Sequence, residues 1–167
     1  MITLIACVDE YNAIGRNNGL LAHLPKDLKH FKNITLGKVC VFGRKTYESL
    51  PIKPLPLRKN VILTKDKKAN FEGCSTANSI KQFMKAYSGQ DIFVCGGEKV
   101  YKQFMPLADE LIITRIEYEF KDADAFFPEI EDSWIPYFCE REEDLFPIEI
   151  MRYKRRANTS KRGVLKS

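Results

Sequence analysis

The sequence predicts a single α/β domain built on a central, mostly parallel sheet of eight strands flanked by about four helices. Short runs rich in β-branched and aromatic residues alternate with helix-like segments, which is typical of strands joined by crossover helices. Runs such as residues 92–95 are apolar without alternation, as expected for strands covered on both faces. The last two strands follow each other without a helix, so we expect them to form an antiparallel edge.

The elements follow in order along the chain. Strands are predicted at 2–8, 39–42, 60–64, 73–76, 91–95, 111–117, 134–141 and 148–153. Helices are predicted at 25–35, 45–50, 79–87 and 98–105. Pro25 suits the first turn of the first helix, and Asn78 is a candidate cap for the third. No stretch approaches the roughly 20 apolar residues of a membrane span.

The charge of the chain is concentrated at its carboxyl end. The formal net charge is +5 over 167 residues, but residues 152–167 contain seven Lys or Arg and no acid, which leaves 20 basic and 22 acidic residues in the remainder. We therefore expect a domain over 1–156 and a flexible or vector-derived basic tail over 157–167. A basic tail can also touch nucleic acid, but the slightly acidic body argues against nucleic acid as a partner.

The five cysteines are scattered, odd in number and without a C-x-x-C pair, and neither histidine accompanies a cysteine cluster. We therefore expect no disulfide framework and no metal site. Free thiols in apolar strands suit a reducing cytoplasm. The first eight residues indicate a strand rather than a signal peptide.

Asp27 lies in the first turn of the first predicted helix, where an acid often only complements the helix dipole. Its spacing to Leu28 and Phe31 suggests more, because residues three and four apart share a helical face. That face offers a carboxylate beside an apolar floor, which can hold a flat heterocycle. Burial would raise the pKa of Asp27 and suit it to proton chemistry.

Two strand-to-helix junctions are candidates for binding phosphate. In the first, a strand ends at Gly43 and the residues Arg44, Lys45 and Thr46 open a helix. Free backbone N–H groups at a helix start bind anions, and cations there would be explained by a bound phosphate.

The second junction contains Gly96 and Gly97, which permit close approach of the backbone to a diphosphate. Lys65, after another strand, could join Arg44 in holding an additional phosphate. Two such junctions suggest a dinucleotide, and the two cations favour its phosphorylated form. Hydride transfer is then the most economical chemistry.

Taken together, the motifs resemble those of the dihydrofolate reductase family over residues 1 to about 156. The motifs occur in the family's order: Ile14-Gly15, Leu24-Pro25-x-Asp27-Leu28-x-x-Phe31, Gly43-Arg44-x-Thr46-x-Glu48-Ser49, Pro54-Leu55-Pro56-x-Arg58-x-Asn60, Gly96-Gly97-x-x-Val100-Tyr101, Thr114 and Phe127-Pro128. The resemblance implies NADPH-dependent reduction of 7,8-dihydrofolate to tetrahydrofolate, which supports one-carbon, thymidylate and purine synthesis. It further implies a cytoplasmic monomer that binds dihydrofolate and antifolate inhibitors.

The resemblance also implies residue roles. Asp27 and its hydrogen-bond partner Thr114 are the implied catalytic residues, acting while hydride reaches C6 and a proton reaches N5. The implied substrate-binding residues are Ile5, Cys7, Leu28, Phe31, Leu50, Lys53, Arg58 and Cys95, with Arg58 pairing to the glutamate tail. The implied cofactor-binding residues are Cys7, Ile14, Gly15, Asn18, Leu20, Gly43, Arg44, Lys45, Thr46, Leu63, Thr64, Lys65, Cys95, Gly96, Gly97, Glu98, Lys99, Val100 and Tyr101.

Further structural features are implied in the same way. The peptide between Gly96 and Gly97 would be cis, and residues 15–20 would form a mobile loop over the nicotinamide. The main departure is Ala22, where the family has a tryptophan that walls the pocket and orients a water on the pterin. We predict weaker folate binding, slower hydride transfer or a neighbour that fills the gap.

Three alternatives remain open at this stage. A pyrimidine reductase of the riboflavin pathway shares the fold and would explain Ala22, but not Asp27 with Phe31 and Arg58. A nucleic-acid-binding module would depend on the tail and would bind in a salt-dependent way. A catalytically inactive binding protein has Ala22 as its only support.

Overall fold

The structure is a computed structural model that describes residues 1–157, so the predicted tail from residue 158 onward lies outside the described residues. Eleven strands and four α-helices are present in this part of the chain. The strands are β1 (Ile2–Val8), β2 (Ala13–Arg16), β3 (Gly19–Leu20), β4 (Val39–Gly43), β5 (Lys59–Leu63), β6 (Ser75–Ala77), β7 (Ile92–Val94), β8 (Glu110–Ile116), β9 (Ala125–Phe126), β10 (Trp134–Glu143) and β11 (Pro147–Arg155). The helices are α1 (Pro25–Thr35), α2 (Arg44–Glu48), α3 (Ile80–Tyr87) and α4 (Glu98–Phe104), followed by a short 3-10 turn at Met105–Leu107.

Eight of these strands form the central sheet in the order β10-β11-β8-β1-β7-β4-β5-β6. The pairs from β8 through β6 are parallel, while β11 pairs antiparallel with both β8 and β10. The predicted eight-stranded, mostly parallel sheet with an antiparallel carboxyl-terminal edge is therefore confirmed. The parallel strands all end at the same edge of the sheet, which is where α/β proteins bind ligands.

A second, three-stranded antiparallel sheet with the order β3-β2-β9 was not predicted. The predicted loop over 15–20 is instead largely a hairpin of β2 and β3. Its two-residue turn places Asn17 and Asn18 at φ 48° and 62°, the left-handed geometry that tight hairpins require. Gly15 is needed in this hairpin, because a Cβ there would lie 2.7 Å from the Gly19 carbonyl oxygen.

Smaller corrections concern element ends. The predicted cap Asn78 is wrong: Ser79 is the N-cap of α3, and its hydroxyl accepts a hydrogen bond from the Gln82 backbone N–H. Ser79 has the extended backbone that a cap requires, with φ −155° and ψ 161°. Helix α2 begins and ends earlier than predicted, and β10 and β11 both extend further towards the turn that joins them.

The core divides into a layer on each face of the central sheet. One layer contains buried side chains such as Leu4, Val41, Phe83 and Phe104. The other layer contains Ile5, Phe42 and Ile112, against which the inner face of α1 packs. Within the described residues, no helix is long and apolar enough to cross a membrane. Because the sheet is packed on both faces, the positions of its strands are fixed, and so is the edge at which the parallel strands end.

Candidate active site

A cleft of about 1020 Å³ opens at the carboxyl edge of the parallel strands. Every residue predicted to bind the cofactor lines it, from Cys7 and Ile14 near the hairpin to Lys65 after β5 and Tyr101 in α4. The cleft is also lined by residues that sequence analysis did not assign to the cofactor, namely Arg16, Gly19, Glu48, Ser49, Asn78, Ser79, Ile80, Gln103, Asp124 and Ala125. The structure thus brings the predicted cofactor residues together in one continuous surface.

The starts of α2 and α4 both face this cleft without a side-chain cap. Their N-cap residues are Gly43 and Gly97, and neither helix start receives a capping hydrogen bond from a side chain. The two junctions are joined, since the Gly43 N–H donates to the Gly96 carbonyl at 2.8 Å. The open backbone N–H groups of both helices suit the phosphates of a dinucleotide.

Gly97 lets the second junction approach the first closely. A Cβ at this position would lie 3.0 Å from the Thr46 hydroxyl oxygen. The Gly96–Gly97 peptide is cis, as the resemblance implies. The residues present therefore fit a diphosphate group, because they combine free donors with a backbone that no side chain covers.

Cations lie where an additional phosphate was expected. Arg44, Lys45 and Lys65 all line the cleft. The Arg44 Nε donates to the Glu48 carboxylate at 3.0 Å, so an ion pair already compensates part of its charge at the start of α2. Asn78 adds a link that sequence analysis missed, since its amide donates to the Thr64 carbonyl at 2.9 Å and ties the two neighbouring strand ends together.

Asp27 lies beside this cleft on α1. Buried Thr114 on β8 and Cys7 on β1 carry the hydroxyl and the thiol that influence the pKa of its carboxyl. Burial has the largest influence on the pKa of Asp27 and raises it. Three neighbours, Thr114, His30 and Cys7, lower this pKa, and the negative charge of Asp144 raises it. Burial prevails, so the pKa lies above the ordinary value for an aspartate.

The apolar side of the site combines residues from β1, α1 and the segments after α2 and β7. Ile5 belongs to the buried layer behind α1, and Phe31, Leu50 and Cys95 pack against that layer. Leu28 is 41% exposed and lies further out. Tyr101 ties α4 to this side, since its hydroxyl donates to the Ile5 carbonyl at 2.7 Å.

Arg58 and Lys53 were predicted to meet the glutamate tail of folate. The Arg58 guanidinium lies 5.8 Å from the centre of the Phe31 ring and donates to the Thr35 hydroxyl at 3.2 Å. It is thus placed at the far end of α1, beside the predicted apolar floor. Lys53 is exposed, and its ammonium donates to the Glu48 carbonyl at 2.6 Å, so Lys53 and Arg58 have different partners.

The surroundings of Ala22 contain large aromatic side chains. Ala22, Phe120 and Phe146 pack against the same small buried core of Leu24, Ile116 and Ile148. Tyr118 joins Phe120 and Phe146 in a mutually packed cluster with ring centres 4.8 to 5.8 Å apart. We refer to Tyr118, Phe120 and Phe146 as the aromatic trio. Two members of the trio, Phe120 and Phe146, thus share a buried core with Ala22, the position where the resemblance leads one to expect a tryptophan.

The β2–β3 hairpin is tied to the loop before β9 at the mouth of the cleft. Arg16 forms a salt bridge with Asp122 at 3.0 Å, and Asp124 accepts from the Asn17 backbone N–H at 3.0 Å. Residues 1–157 contain no cluster of three or more potential metal-binding side chains. All five cysteines, which lie within that range, are free thiols.

Comparison with known proteins identifies the family. The profile of the family described as dihydrofolate reductase matches residues 1–155. The dihydrofolate reductase of Bacillus subtilis is 38% identical over 169 residues, covering 98% of this chain and 99% of that protein. The dihydrofolate reductase of Neisseria meningitidis serogroup A is 41% identical over 131 residues, covering 78% of this chain and 80% of that protein.

A solved structure agrees with these relatives. Dihydrofolate reductase from Enterococcus faecalis, complexed with NADP(H) and RAB-propyl, matches with a TM-score of 0.88 and 30% identity over 94% of this chain and 97% of that one. The family profile covers nearly the whole described chain, and the fold agrees with it. The chain belongs to the dihydrofolate reductase family.

Proposed function

We propose that this chain reduces 7,8-dihydrofolate to 5,6,7,8-tetrahydrofolate with NADPH, using Asp27 as the anchor and proton-holding group of the pterin site. The observation that carries the proposal is the setting of Asp27, a carboxyl with a raised pKa on the helix whose Phe31 packs against the buried apolar layer, and whose neighbour Cys7 lines the cleft. Family membership supports the same activity.

The cleft fits the cofactor. Bound NADPH supplies the hydride. Backbone N–H groups at the starts of α2 and α4 hold the diphosphate, while Arg44, Thr46, Thr64 and Lys65 hold the adenosine-phosphate end. Asn78 and Ser79 line the same end of the cleft. The solved relative described as a complex with NADP(H) supports this assignment.

Asp27 orients the substrate and supports its protonation. Its carboxyl pairs with the amino group and the adjacent ring nitrogen of the pterin, while Thr114 and Cys7 fix its orientation. A raised pKa keeps a larger fraction of Asp27 protonated near neutrality than an exposed aspartate would show, which favours proton delivery towards N5. Phe31, Leu50 and Ile5 form the apolar wall, and Arg58 pairs with the glutamate carboxylate of the substrate.

We also propose that the chain acts as a cytoplasmic monomer and binds antifolates in the pocket beside Asp27. Five free thiols support a reducing compartment. The solved relative is complexed with a second, non-cofactor molecule, which supports inhibitor binding. The pyrimidine reductase and nucleic-acid alternatives are not favoured, because the Bacillus subtilis relative, which covers nearly the whole chain, is a dihydrofolate reductase.

The test is loss of NADPH absorbance with dihydrofolate, measured for the wild-type chain and for Asp27→Asn. Loss of a positioned proton-transfer group lowers kcat about 100-fold or more. The matched control is Asp66→Asn, an exposed carboxyl outside the cleft, which should leave kcat unchanged. Undiminished activity of Asp27→Asn at neutral pH would contradict the proposed role of this residue.

A further inference from the structure

The start of α1 is capped by a residue from a distant part of the chain. Its own N-cap residue, Leu24, provides no side-chain hydrogen bond, and Pro25 has no N–H to satisfy. The next backbone N–H, that of Lys26, donates to the Asp144 carboxylate at 2.9 Å across 118 residues of sequence. Asp144 lies in the turn between β10 and β11, so this turn provides the cap.

Asp144 is itself held in place. One carboxylate oxygen accepts from Lys26, and the other accepts from the Leu145 backbone N–H at 2.8 Å. The Asp144 backbone N–H donates to the Phe146 carbonyl at 3.2 Å. Phe146 belongs to the aromatic trio and packs on the same small core as Leu24. The turn and the start of α1 are therefore anchored to one shared set of buried side chains.

The capped residue directly precedes Asp27, so the contact acts on the helical turn that carries the proposed pterin anchor. The groups that influence the pKa of the Asp27 carboxyl are Thr114 on β8, Cys7 on β1, His30 on α1 and Asp144 on the β10–β11 turn. The negative charge of Asp144 opposes ionisation of Asp27.

We propose that Asp144 is a positioning residue for the reaction, because it caps α1 from the β10–β11 turn and holds the helical turn that presents Asp27 to the substrate. Asp144 does not touch the substrate in this role and acts through Lys26 and Asp27. The inference rests on the proposed function, since the Asp27 carboxyl is the group whose placement matters.

The variants Asp144→Asn and Asp144→Ala separate charge from capping. Asp144→Asn keeps an oxygen acceptor for the Lys26 N–H but removes the charge, whereas Asp144→Ala removes both. Glu143→Gln is the matched control, because Glu143 is an exposed carboxylate beside the same turn. The primary measurement is titration of the Asp27 carboxyl by carbon-13 NMR in the free protein, followed by the pH profile of kcat/KM for dihydrofolate.

We expect the Asp27 titration and the descending limb of the pH profile to move to lower pH in both Asp144 variants and to stay in place in Glu143→Gln. Asp144→Ala should also lower kcat/KM about fivefold, since it loses a helix cap. Most of the fivefold loss should be in kcat if the reacting geometry is disturbed.

Two results would overturn the proposal. The first is an unchanged Asp27 titration with unchanged kinetics, accompanied only by a lower Tm, which would mean a purely structural cap. The second is an equal shift in Glu143→Gln, which would mean a general effect of surface charge. The titration is read without substrate, so it gives its answer whether or not the chain reduces dihydrofolate, and the two proposals fail separately.

Discussion

The cofactor side and the substrate side of the cleft are built in different ways. The cofactor side consists mainly of backbone at two strand-to-helix junctions, around Gly43 and Gly97, each contained in a few consecutive residues. The proposed substrate side centres on Asp27, which is surrounded by residues from β1, β8 and the β10–β11 turn. The first is a set of local motifs, and the second depends on contacts between distant segments. Changes on the two sides should therefore have separable kinetic effects.

The largest separable effect is expected from pH. The folded-state pKa of Asp27 lies above the ordinary value because burial penalises the charged form. If the protonated carboxyl supports the reaction, kcat/KM for dihydrofolate is highest below that pKa and falls as pH rises through it, approaching about tenfold per pH unit. The measurement is a pH profile of kcat/KM for dihydrofolate, with the Kd of NADPH recorded at each pH.

The comparison predicts that the NADPH Kd changes little over the same pH range, since Asp27 belongs to the substrate side. A kcat/KM that rises with pH would contradict the expectation that the protonated Asp27 carboxyl supports the reaction. Equal losses in dihydrofolate turnover and NADPH affinity would show that the two sides are not independent.

The next effect concerns the cofactor side. Arg44→Gln should raise the KM for NADPH about tenfold, because a charge-assisted hydrogen bond to phosphate is lost, and should leave kcat nearly unchanged. The KM for NADH, which lacks the additional phosphate, should change much less. Steady-state kinetics with both cofactors provides the measurement.

Lys67→Gln is the matched control for this variant. Lys67 is exposed in the loop between β5 and β6 but does not line the cleft. If Lys67→Gln raised the KM for NADPH equally, the Arg44 effect would reflect only the general electrostatic attraction between a basic surface and the cofactor. An equal rise for NADH in Arg44→Gln would contradict an interaction with the additional phosphate.

The same division explains what could be predicted from the sequence. Asp27 and Phe31 are four residues apart on one helix, and each glycine junction is continuous, so local spacing could indicate them as candidates. The Lys26–Asp144 contact spans 118 residues and has no local pattern. The aromatic trio combines residues before β9 with Phe146, and their spacing predicts no common cluster.

Two local features escaped prediction for different reasons. The β2–β3 hairpin had a usable signal, since two consecutive asparagines tolerate the positive φ of a tight turn, but its strands are only four and two residues long. For α3, Asn78 and Ser79 are both good cap residues. Backbone geometry selected Ser79, while Asn78 was used to bridge to Thr64.

The smallest effect expected is that of Ala22→Trp on the substrate side. An indole at this position should restore the donor and the wall that the resemblance implies, and kcat/KM for dihydrofolate should rise about fivefold, as for one water-mediated hydrogen bond. The NADPH Kd should remain unchanged. Unchanged or lower kcat/KM would mean that the aromatic trio already fills this part of the site, since Ala22 packs on the same core as Phe120 and Phe146. The double variant Ala22→Trp with Phe120→Ala then tests this explanation. If the Phe120 ring occupies the space that the indole needs, removing the ring should raise kcat/KM for dihydrofolate, whereas otherwise kcat/KM should stay unchanged.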